Sequence, residues 1–598
     1  MLSVIATEGT HLMEQVVANG QRSISGQSWV FPTPAYSESS LDHLCEKLGI
    51  TRGLGSILAA RDLLDWEAAE RFLNPADQHL HAPGGLMDMD KAMERIYRAL
   101  VGFEKIVIFG DYDVDGTAST AILYSYLKRL DARVHYFVPH RINDGFGINP
   151  HITAKFKNWG VDLVITTDHG STDVEGAQLL RQQGIDLIVT DHHQLQENRP
   201  HCEALLNPHQ EGCAYPFKEL SATGVVFKLI CALDDFLIER KFWDRGGMCH
   251  TAPDYYLDLV ALATVADMTP LLGENRILVK LGLDMINTQP RPGLSGLMRE
   301  CNVRNTISPS TISFRIAPKI NALGRIGDPG IGVKLLMSHS YTEARKLARH
   351  MVELNKRRRS IEQEVYAKAM KQAEARGGGD ACIVVVGDWH PGVIGSIASR
   401  LASETGKPTV VLTTQNDSRV LGSARSWSKG SVLEALMQCE GLLERCGGHP
   451  NAAGLALCTE NVEAFTQEFH QAMECAAKAS PAETCKELEI DAWVTQDMLG
   501  EQFFSEVARM SPFGYRNPEP AVAVRGVKVD DVMCFSDRHL KFNLCCSDGQ
   551  QIEANAWHRP DWRLSPSQQY DAAFVPQIYN GPDGPRPQVK IVDMMCRN

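Results

Sequence analysis

The segment 110–116 reads Gly-Asp-Tyr-Asp-Val-Asp-Gly and carries three carboxylates, Asp111, Asp113 and Asp115, within five residues. An apolar run, 105–109, precedes it and a helix-like run, 117–130, follows it. We therefore expect the carboxylates at the C-terminal end of a parallel strand, where open α/β sheets bind their ligands. Like charges this close repel one another unless a cation or protons neutralise them, which predicts a divalent-metal site. The alternative is a solvated turn that caps the next helix, because Asp is a common N-cap.

Groups of the same kind follow other elements of the chain. The run 162–167 leads into Asp168-His169-Gly170, the run 185–190 into Asp191-His192-His193, and the helix-like run 255–266 into Asp267. Carboxylate oxygens with one or two imidazoles suit Mn²⁺ or Mg²⁺. Four carboxylates and a histidine are enough for two ions, a device used in phosphoester hydrolysis. Each group alone is compatible with a helix cap or a structural pair, but their recurrence at strand ends of one sheet favours metal binding.

The elements that must position these groups follow a β-α-β pattern. The strands predicted over 105–109, 133–139, 162–167 and 185–190 are almost continuously apolar, which favours a parallel sheet covered by helices on both faces. A long helix, roughly 342–376 and ended by glycines 377–379, is expected to connect to a second α/β unit. From about residue 486 the pattern becomes strand-rich with polar turns, which predicts a small β-barrel.

The fold class predicted is therefore α/β with an added β-barrel, in several domains, since 598 residues are too many for one core. The expected boundaries are a helical region over 1–100, a first α/β domain over 101–340, a connecting helix over 341–379, a second α/β domain over 380–480 and a small β-barrel over 486–598. No function is predicted for residues 1–100 beyond packing or partner contact.

Composition limits the classes of function. The formal net charge of −13 argues against nucleic-acid binding by bulk charge, although a local basic groove stays possible. The 16 cysteines show no zinc-type spacing and are expected to be reduced thiols of a cytoplasmic protein. The first twenty residues lack the pattern of a secretory signal, and no run approaches the ~18 apolar residues that a membrane helix requires.

Several segments together resemble one family. Asp113-Val114-Asp115, Asp168-His169-Gly170, Asp191-His192-His193 and Thr-Val-Ala-Asp at 264–267 look like the four motifs of the DHH phosphoesterase superfamily. Five later segments resemble the RecJ branch of that superfamily, so that the resemblance extends from about residue 40 to the end of the chain. These segments are 315–325, 390–395, 422–426, 447–449 and 512–520.

The resemblance implies a 5′→3′ exonuclease that degrades single-stranded DNA to mononucleotides in DNA recombination and repair. It implies two ions, Mn²⁺ or Mg²⁺, and a DHH domain joined by a long helix to a DHH-associated domain and an OB-like domain. The implied metal ligands are Asp113, Asp115, Asp168, His192 and Asp267, with Asp168 bridging the ions. His193 would lie near the scissile phosphate or the metals, Asp191 would orient the histidines, and Asp111 would be a ligand or orient the loop.

The resemblance also implies where phosphate binds. Arg141, Ser423 and Arg425 would hold the 5′-terminal phosphate, and Arg325 a phosphate near the cut. Arg315 lies in a similar motif, and guanidinium groups grip phosphates bidentately. Gly447 and Gly448 can present backbone N–H groups to phosphate beside His449. The barrel would extend the single-strand track. The partners expected from the family are single-strand binding protein and a RecQ-type helicase, and the chain is expected to be a monomer.

The sequence departs from the family pattern at two places, and two other functions stand beside the main one. His169 stands where Asn is common and is expected either to bind metal itself or to support the ligands from behind, so that metal preference is in question. Ala263 and Met268-Thr269 stand where Gly and two valines are common. A DHH phosphodiesterase for short oligonucleotides or cyclic dinucleotides is one alternative, which the C-terminal β domain disfavours. A catalytically silent single-strand-binding scaffold is the other, but the loss of ligands that would mark it is absent from the sequence.

Overall fold

The computed structural model describes residues 23–32, 36–140, 144–145, 147–244, 250–375, 381–416, 418–426, 431–479, 487–581 and 584–597. These residues form two compact units. The first unit contains the residues up to Leu80, Pro270–Leu281 and the residues from Glu483 onward, and the second unit contains His81–Thr269 and Gly282–Ala482. None of the described helices is long and apolar enough to cross a bilayer.

The first unit combines the N-terminal helices with the C-terminal barrel. Its N-terminal elements are β1 (Ser28–Val30), α1 (Glu38–Leu48), α2 (Arg52–Ala60) and α3 (Trp66–Leu73). β1 pairs in parallel with a strand of the C-terminal part, Glu487–Glu489. One apolar core joins Leu54 and Phe72 of the helices to Phe503 and Val524 of the C-terminal part. Segments far apart in sequence therefore share one core.

A five-stranded sheet forms the centre of the second unit. Its strands, all parallel, run in the order β3-β2-β4-β5-β6. They are β2 (Lys105–Gly110), β3 (Arg133–Phe137), β4 (Leu163–Thr167), β5 (Asp186–Thr190) and β6 (Ala204–Leu206). Val107, Val164 and Val189 on one face pack against Phe156 of a flanking helix. Because both faces are covered, the strands are apolar along their whole length, and the predicted parallel sheet is confirmed.

Helices surround this sheet and continue beyond it. Those that follow the chain to the end of the first α/β part are α4 (Met89–Val101), α5 (Val114–Arg129), α6 (Pro150–Trp159), α7 (Val174–Gln182), α8 (Ala222–Glu239), α9 (Leu257–Ala266), α10 (Gly273–Thr288), α11 (Pro292–Glu300), α12 (Pro309–Thr311), α13 (Ala317–Ile326) and α14 (Gly330–Met337). A π-helical turn, Ile312–Ile316, lies between α12 and α13.

The predicted connecting helix is α15 (Tyr341–Ala375), and the glycines expected to end it lie outside the described residues. A second sheet follows, in the order β10-β11-β9-β8-β7. Its strands and helices are β7 (Ile383–Gly387), α16 (Ile394–Thr405), β8 (Thr409–Asn416), β9 (Arg419–Arg425), α17 (Val432–Gln438), β10 (Arg445–His449), β11 (Ala452–Cys458) and α18 (Val462–Ala479). Only β7 and β8 pair in parallel, so this sheet is mixed.

The C-terminal elements form the predicted barrel. They are β12 (Glu487–Glu489), β13 (Ala492–Val494), α19 (Glu501–Ala508), β14 (Val522–Phe535), β15 (His539–Cys545), β16 (Gln551–Ala556), β17 (Tyr570–Gly581) and β18 (Gly584–Cys596). The sheet β13-β14-β15-β16-β18-β17 closes through pairing of β14 with β17. Closure removes the exposed edges that a sheet of this size would otherwise present. The fold class is thus confirmed, while the domain boundaries stay a prediction.

Candidate metal centre

The register of the parallel sheet brings the predicted motifs together. Gly110 at the end of β2 lies beside Thr167 at the end of β4, and Thr167 lies beside Thr190 at the end of β5. The residues that follow each strand therefore emerge at one edge of the sheet. This is the edge at which α/β proteins bind ligands.

The described carboxylates and imidazoles at this edge form three groups whose ligand atoms lie within 4.8 Å of one another. Their members are Asp111 with Asp113 and Asp168; Asp115 with His192 and Asp267; and Asp168 with His192 and His193. Asp168 and His192 each belong to two groups. The structure thus brings all the predicted ligands into one site and places Asp111 among them.

Asp113 and Asp115 are fixed by helix N-termini. Asp113 is the N-cap of α5, and its Oδ1 accepts the Gly116 N–H at 3.0 Å. The two oxygens of Asp115 accept the N–H groups of Ala222 and Thr223, the first residues of α8, at 2.8 Å each. Backbone N–H groups and the helix dipole favour an anion at such a terminus. The cap interpretation and the metal interpretation of this segment are therefore compatible.

Burial makes these carboxylates costly as bare anions. Burial, followed by the charge of Asp115, raises the pKa of Asp113. Burial and the charge of Asp113 raise the pKa of Asp168 well above its usual range. Burial and the charge of Asp115 raise the pKa of Asp267 to about 8. Buried like charges of this kind require protons or cations to neutralise them.

The position of His192 Nε2 indicates where a cation would bind. Its Nε2 is buried and has no hydrogen-bond partner among the described residues. That atom lies 3.4 Å from Asp168 Oδ1, 3.7 Å from Asp267 Oδ2 and 3.8 Å from Asp115 Oδ2. These distances are too long for good hydrogen bonds, and the donor set of carboxylate oxygens and imidazole fits Mn²⁺ or Mg²⁺.

His193 is held by Asp191, a carboxylate whose two oxygens both accept hydrogen bonds. Asp191 Oδ1 accepts from His193 Nδ1 at 2.7 Å and from the His192 N–H at 2.8 Å, while Oδ2 accepts the Ser171 N–H at 2.9 Å. The bond to Asp191 raises the pKa of His193 to about 9. Burial opposes ionisation of Asp191, but the His193 hydrogen bond holds its pKa well below the usual range. Asp191 thus orients the half-exposed His193 ring and favours its protonated form.

His169 has different surroundings from the histidines of the third motif. Its ring is buried, its Nε2 shares a hydrogen bond of 2.9 Å with the Phe109 carbonyl, and it packs edge-on against the Phe109 ring at 4.6 Å. Burial lowers its pKa. It belongs to none of the three groups of possible ligands among the described residues. The structure therefore places His169 in the packing beneath β2 and β4 and does not support it as a metal ligand.

The residues that were predicted to bind phosphate differ in their surroundings. Arg425 Nη1, at the end of β9, donates to Ser423 Oγ at 2.9 Å, so that these two predicted residues lie together. Arg325, at the end of α13, reaches the Gly392 carbonyl of the second α/β part at 3.5 Å. Arg315 lies in the π-helical turn, and its Nη2 donates to the carbonyls of Cys301 and Asn302 at 2.8 and 2.9 Å. Arg141 lies outside the described residues.

The last predicted segment forms an edge strand. Gly447, Gly448 and His449 belong to β10, which pairs with β11 on one side and is exposed. Gly448 has a φ of +145°, a conformation that side chains rarely adopt. An exposed edge strand leaves backbone N–H groups available to a ligand.

Sequence reasoning missed two supports of the site. Ala222 and Thr223 hold Asp115 through their backbone amides, and the signal for them is Ser221, a good N-cap directly before an apolar run. Asn321 of α13 accepts the Val114 N–H at 3.1 Å and so ties α13 to the start of α5. Asn321 lies in a segment that resembles the family, but nothing in the sequence indicates its partner.

Comparisons with known proteins agree with this geometry. The model of the DHH family, N-terminal domain, matches residues 105–264, the DHHA1 domain model matches 378–474, and the RecJ OB domain model matches 490–593. The chain is similar to the crystal structure of Thermus thermophilus RecJ in complex with Mn²⁺, with a TM-score of 0.77 and 28% identity over 95% of this chain and 79% of that one. The Mg²⁺ complex of the same protein gives a TM-score of 0.72 and 27% identity, over 95% and 78% of the two chains.

Sequence relatives bear the same description. Proteins named single-stranded-DNA-specific exonuclease RecJ are 33% identical in Dickeya dadantii, over 76% of this chain and 82% of that one, and 32% identical in Salmonella typhimurium, over 84% and 86%. The relative in Bacillus subtilis is 34% identical over 85% of this chain, and this chain spans 63% of the relative's length. Identity at this level over most of both chains establishes kinship, and the chain belongs to the RecJ family of the DHH phosphoesterases.

Proposed function

We propose that the chain is a metal-dependent exonuclease that degrades single-stranded DNA from the 5′ end to mononucleotides. The observation that carries the proposal is the buried group around Asp168, in which His192 Nε2 faces three carboxylates without a hydrogen-bond partner among the described residues. Buried carboxylates and imidazoles arranged in this way are typical of a two-metal phosphoesterase.

Two Mn²⁺ or Mg²⁺ ions would be held by Asp113, Asp115, Asp168, His192 and Asp267, with Asp168 shared and Asp111 as a further ligand on the side of Asp113. Bound there, the ions would lower the pKa of a water and neutralise the phosphate oxygens. The helix N-termini that hold Asp113 and Asp115 keep these side chains in place before any ion binds. Such preorganisation reduces the cost of assembling the site.

His193 would act on the phosphate and not on the metals alone. Its imidazole is half exposed, and the hydrogen bond to the Asp191 carboxylate raises its pKa and so favours the imidazolium form. An imidazolium donates from both ring nitrogens, and one of them is occupied by Asp191. The other is available to a non-bridging phosphate oxygen, whose charge increases in the transition state.

A terminal-phosphate pocket would make the enzyme dependent on a 5′ end. Ser423 and Arg425 supply a hydroxyl and a guanidinium side by side, and Arg141 is predicted to join them. A terminal phosphate carries more charge than an internal phosphodiester, so a guanidinium pocket distinguishes the two. Arg325 would hold a phosphate closer to the cut, and the C-terminal barrel would hold the strand, as OB folds commonly do. The barrel also favours long strands over dinucleotides as substrates.

The cellular location and the protein partners are inferred from the family and from the state of the cysteines. Every cysteine among the described residues is free, which suits a reducing compartment, and we infer a cytoplasmic location. Single-strand binding protein and a RecQ-type helicase are the partners we expect, with the chain itself a monomer.

The proposal is tested by digesting two matched 5′-phosphorylated substrates in the presence of Mn²⁺. One is a single strand of about 60 nucleotides, which is long enough to cover several single-strand site sizes. The other is a blunt duplex of the same sequence. We expect mononucleotides from the single strand and little product from the duplex. Equal attack on the blunt duplex would refute the proposal, as would turnover of dinucleotides with none of the long strand.

A further inference from the structure

A groove lies in the second unit between the C-terminal end of α11 and the N-terminal half of α15. The two helices approach closely at Gly296, where an added Cβ would lie 3.0 Å from the Ala344 carbonyl carbon and 3.1 Å from the Arg345 nitrogen. Beyond this contact the helices and the loop 301–304 enclose an open cavity of about 760 Å³. None of its lining residues belongs to the metal centre.

The lining of the groove is strongly basic. Five of its side chains are cationic: Arg299, Arg304, Arg345, Arg349 and Lys356. They face two carboxylates, Glu300 and Glu353. Glu300 is occupied by Arg345 at 2.8 Å and Arg349 at 3.5 Å, and the Arg345 hydrogen bond lowers its pKa. Positive charge is therefore in excess here, in a chain whose formal net charge is −13.

The basic residues of α15 follow the helical period. Arg345, Arg349, Lys356 and Arg359 are separated by four, seven and three residues and so share one face. All four are exposed. At 1.5 Å per residue this face spans about 21 Å, and a duplex strand carries one phosphate per roughly 3.4 Å of axis. The basic face, defined as these four residues with Arg299 and Arg304, is long enough for about six phosphates of a duplex strand.

The chemistry of the basic face favours phosphate over other anions. All its members but Lys356 are arginines, whose planar donors match the oxygens of a phosphate. The face continues at Arg359 into a smaller groove that also contains Arg400. The row of exposed cations is interrupted by Glu353 but keeps an excess of positive charge, which suits a repeating polyanion and carries no means of reading bases.

We propose that the basic face of α11 and α15 is a second nucleic-acid site, which binds the phosphate backbone of DNA apart from the metal centre. The identity of the polyanion rests on the proposed nuclease function. The site would hold a stretch of the substrate that is not being cleaved and so raise affinity for long DNA without changing the chemistry at the 5′ end.

The test compares Arg349→Glu/Lys356→Glu with a matched control, Lys346→Glu/Lys371→Glu, which makes the same charge change at exposed positions elsewhere on α15. The full chain carries Asp168→Ala in the binding assay so that DNA is not consumed. Fluorescence anisotropy gives the Kd of the same long single strand and of the corresponding duplex as salt is varied. We expect the groove variant to bind about tenfold more weakly than the control, with the salt slope reduced by about 1 to 2.

A second readout separates this inference from the proposed function. With Asp168 restored, both variants should cleave a 5′-phosphorylated hexanucleotide at the wild-type kcat. A wild-type chain that leaves both the hexanucleotide and the long single strand intact would refute the nuclease proposal, while the anisotropy data would still test the groove. Equal Kd values and equal salt slopes for the groove variant and the control, on single strand and duplex alike, would overturn the second site. Poly-glutamate serves as a model of an acidic protein partner. If the groove variant lost binding to poly-glutamate while its binding to DNA was unchanged, the second DNA site would be overturned in favour of such a partner.

Discussion

Asp168 is the residue on which the two-metal arrangement depends most. Its ligand atoms take part in two of the three groups at the sheet edge, and it is only 3% exposed. Its φ of +68° lies in the left-handed region, which a non-glycine residue adopts at some energetic cost. The surrounding structure holds this conformation through the Asp168 N–H, which donates to the Thr190 carbonyl at 3.0 Å.

Substituting Asp168→Ala should abolish metal-dependent chemistry without unfolding the chain. We expect turnover of single-stranded DNA to fall on the order of 10³-fold, which corresponds to about 4 kcal/mol of activation free energy. Mn²⁺ should raise the Tm of the wild-type chain, since a ligand at a hundredfold excess over Kd contributes about 2.7 kcal/mol. That rise should be absent in the variant, as measured by calorimetry.

The matched control is Glu175→Gln, which removes an exposed carboxylate on α7. It should retain both turnover and the Mn²⁺-dependent rise in Tm. If Asp168→Ala retained the rise, Asp168 would not be a metal ligand.

Asp191 should act through His193. Replacing it by Asn removes the charged acceptor under Nδ1 and should lower kcat roughly 10- to 100-fold, as loss of a group that orients a site residue usually does. In a double-mutant cycle, Asp191→Asn should cost little once His193→Gln is present, because the two residues work as a pair. Fully additive losses in steady-state kinetics would show that Asp191 has an independent role.

At the scale of elements, the site depends on how closely the loop after β2 approaches α5. A Cβ added at Gly116 would lie 2.6 Å from the backbone carbon and oxygen of Asp111. Backbone cannot yield as a flexible side chain does, so the loop that carries Asp111 and Asp113 must move. The spacing of the acidic motif is thus set by packing as well as by metal binding.

We expect Gly116→Ala to reduce activity more than stability. Overpacking of this kind costs about 1–3 kcal/mol of unfolding free energy, whereas displaced ligands should reduce turnover at least tenfold. Urea unfolding and the single-strand digestion assay measure the two effects. Gly441→Ala is the control, because an added Cβ there meets nothing within 4 Å. Equal activity of the two variants would show that the loop tolerates displacement.

The sequence predicts this level of structure well, for a physical reason. Strands β2, β4 and β5 are buried on both faces and therefore apolar throughout, and the polar residues that end them mark the sheet edge. Partners from distant segments cannot be predicted in this way. Ser221 marks the start of α8 but not the carboxylate that its first amides bind, and Asn321 binds Val114 across 207 residues of chain. The partner of the His169 ring could not be predicted either, because nothing in the sequence marks the Phe109 carbonyl as its acceptor.

Arg276 joins three segments of the first unit that lie far apart in the sequence. Its guanidinium is 1% exposed, and it donates to the carbonyls of Phe72, Arg509, Met510, Ser511 and Pro512. Burial lowers its pKa to about 9. The sequence predicts no role for residues 1–100, since the contacts that unite α1–α3 with the barrel connect residues more than 400 positions apart.

Replacing Arg276 by Met should destabilise the first unit. Five backbone carbonyls would lose a charged donor inside the core, and each unsatisfied group costs about 1–3 kcal/mol before relaxation. We expect the unfolding free energy to fall by at least about 3 kcal/mol, measured by urea denaturation followed by tryptophan fluorescence. Arg71→Met, an exposed change on α3, should have almost no effect. A stability loss equal to that of this control would mean that the segments hold together without Arg276.

The central claim is that the chain hydrolyses single-stranded DNA from the 5′ end with metal ions bound by Asp168 and its neighbours. The most direct measurement follows two copies of one single strand, labelled at the 5′ or the 3′ end, during digestion with Mn²⁺ by the wild-type chain and by Asp168→Ala. The account predicts that the wild-type chain releases the 5′ label at once as a mononucleotide while the 3′ label stays in shortening strands, and that the variant releases neither. Early release of the 3′ label, or undiminished release of the 5′ label by Asp168→Ala, would contradict it.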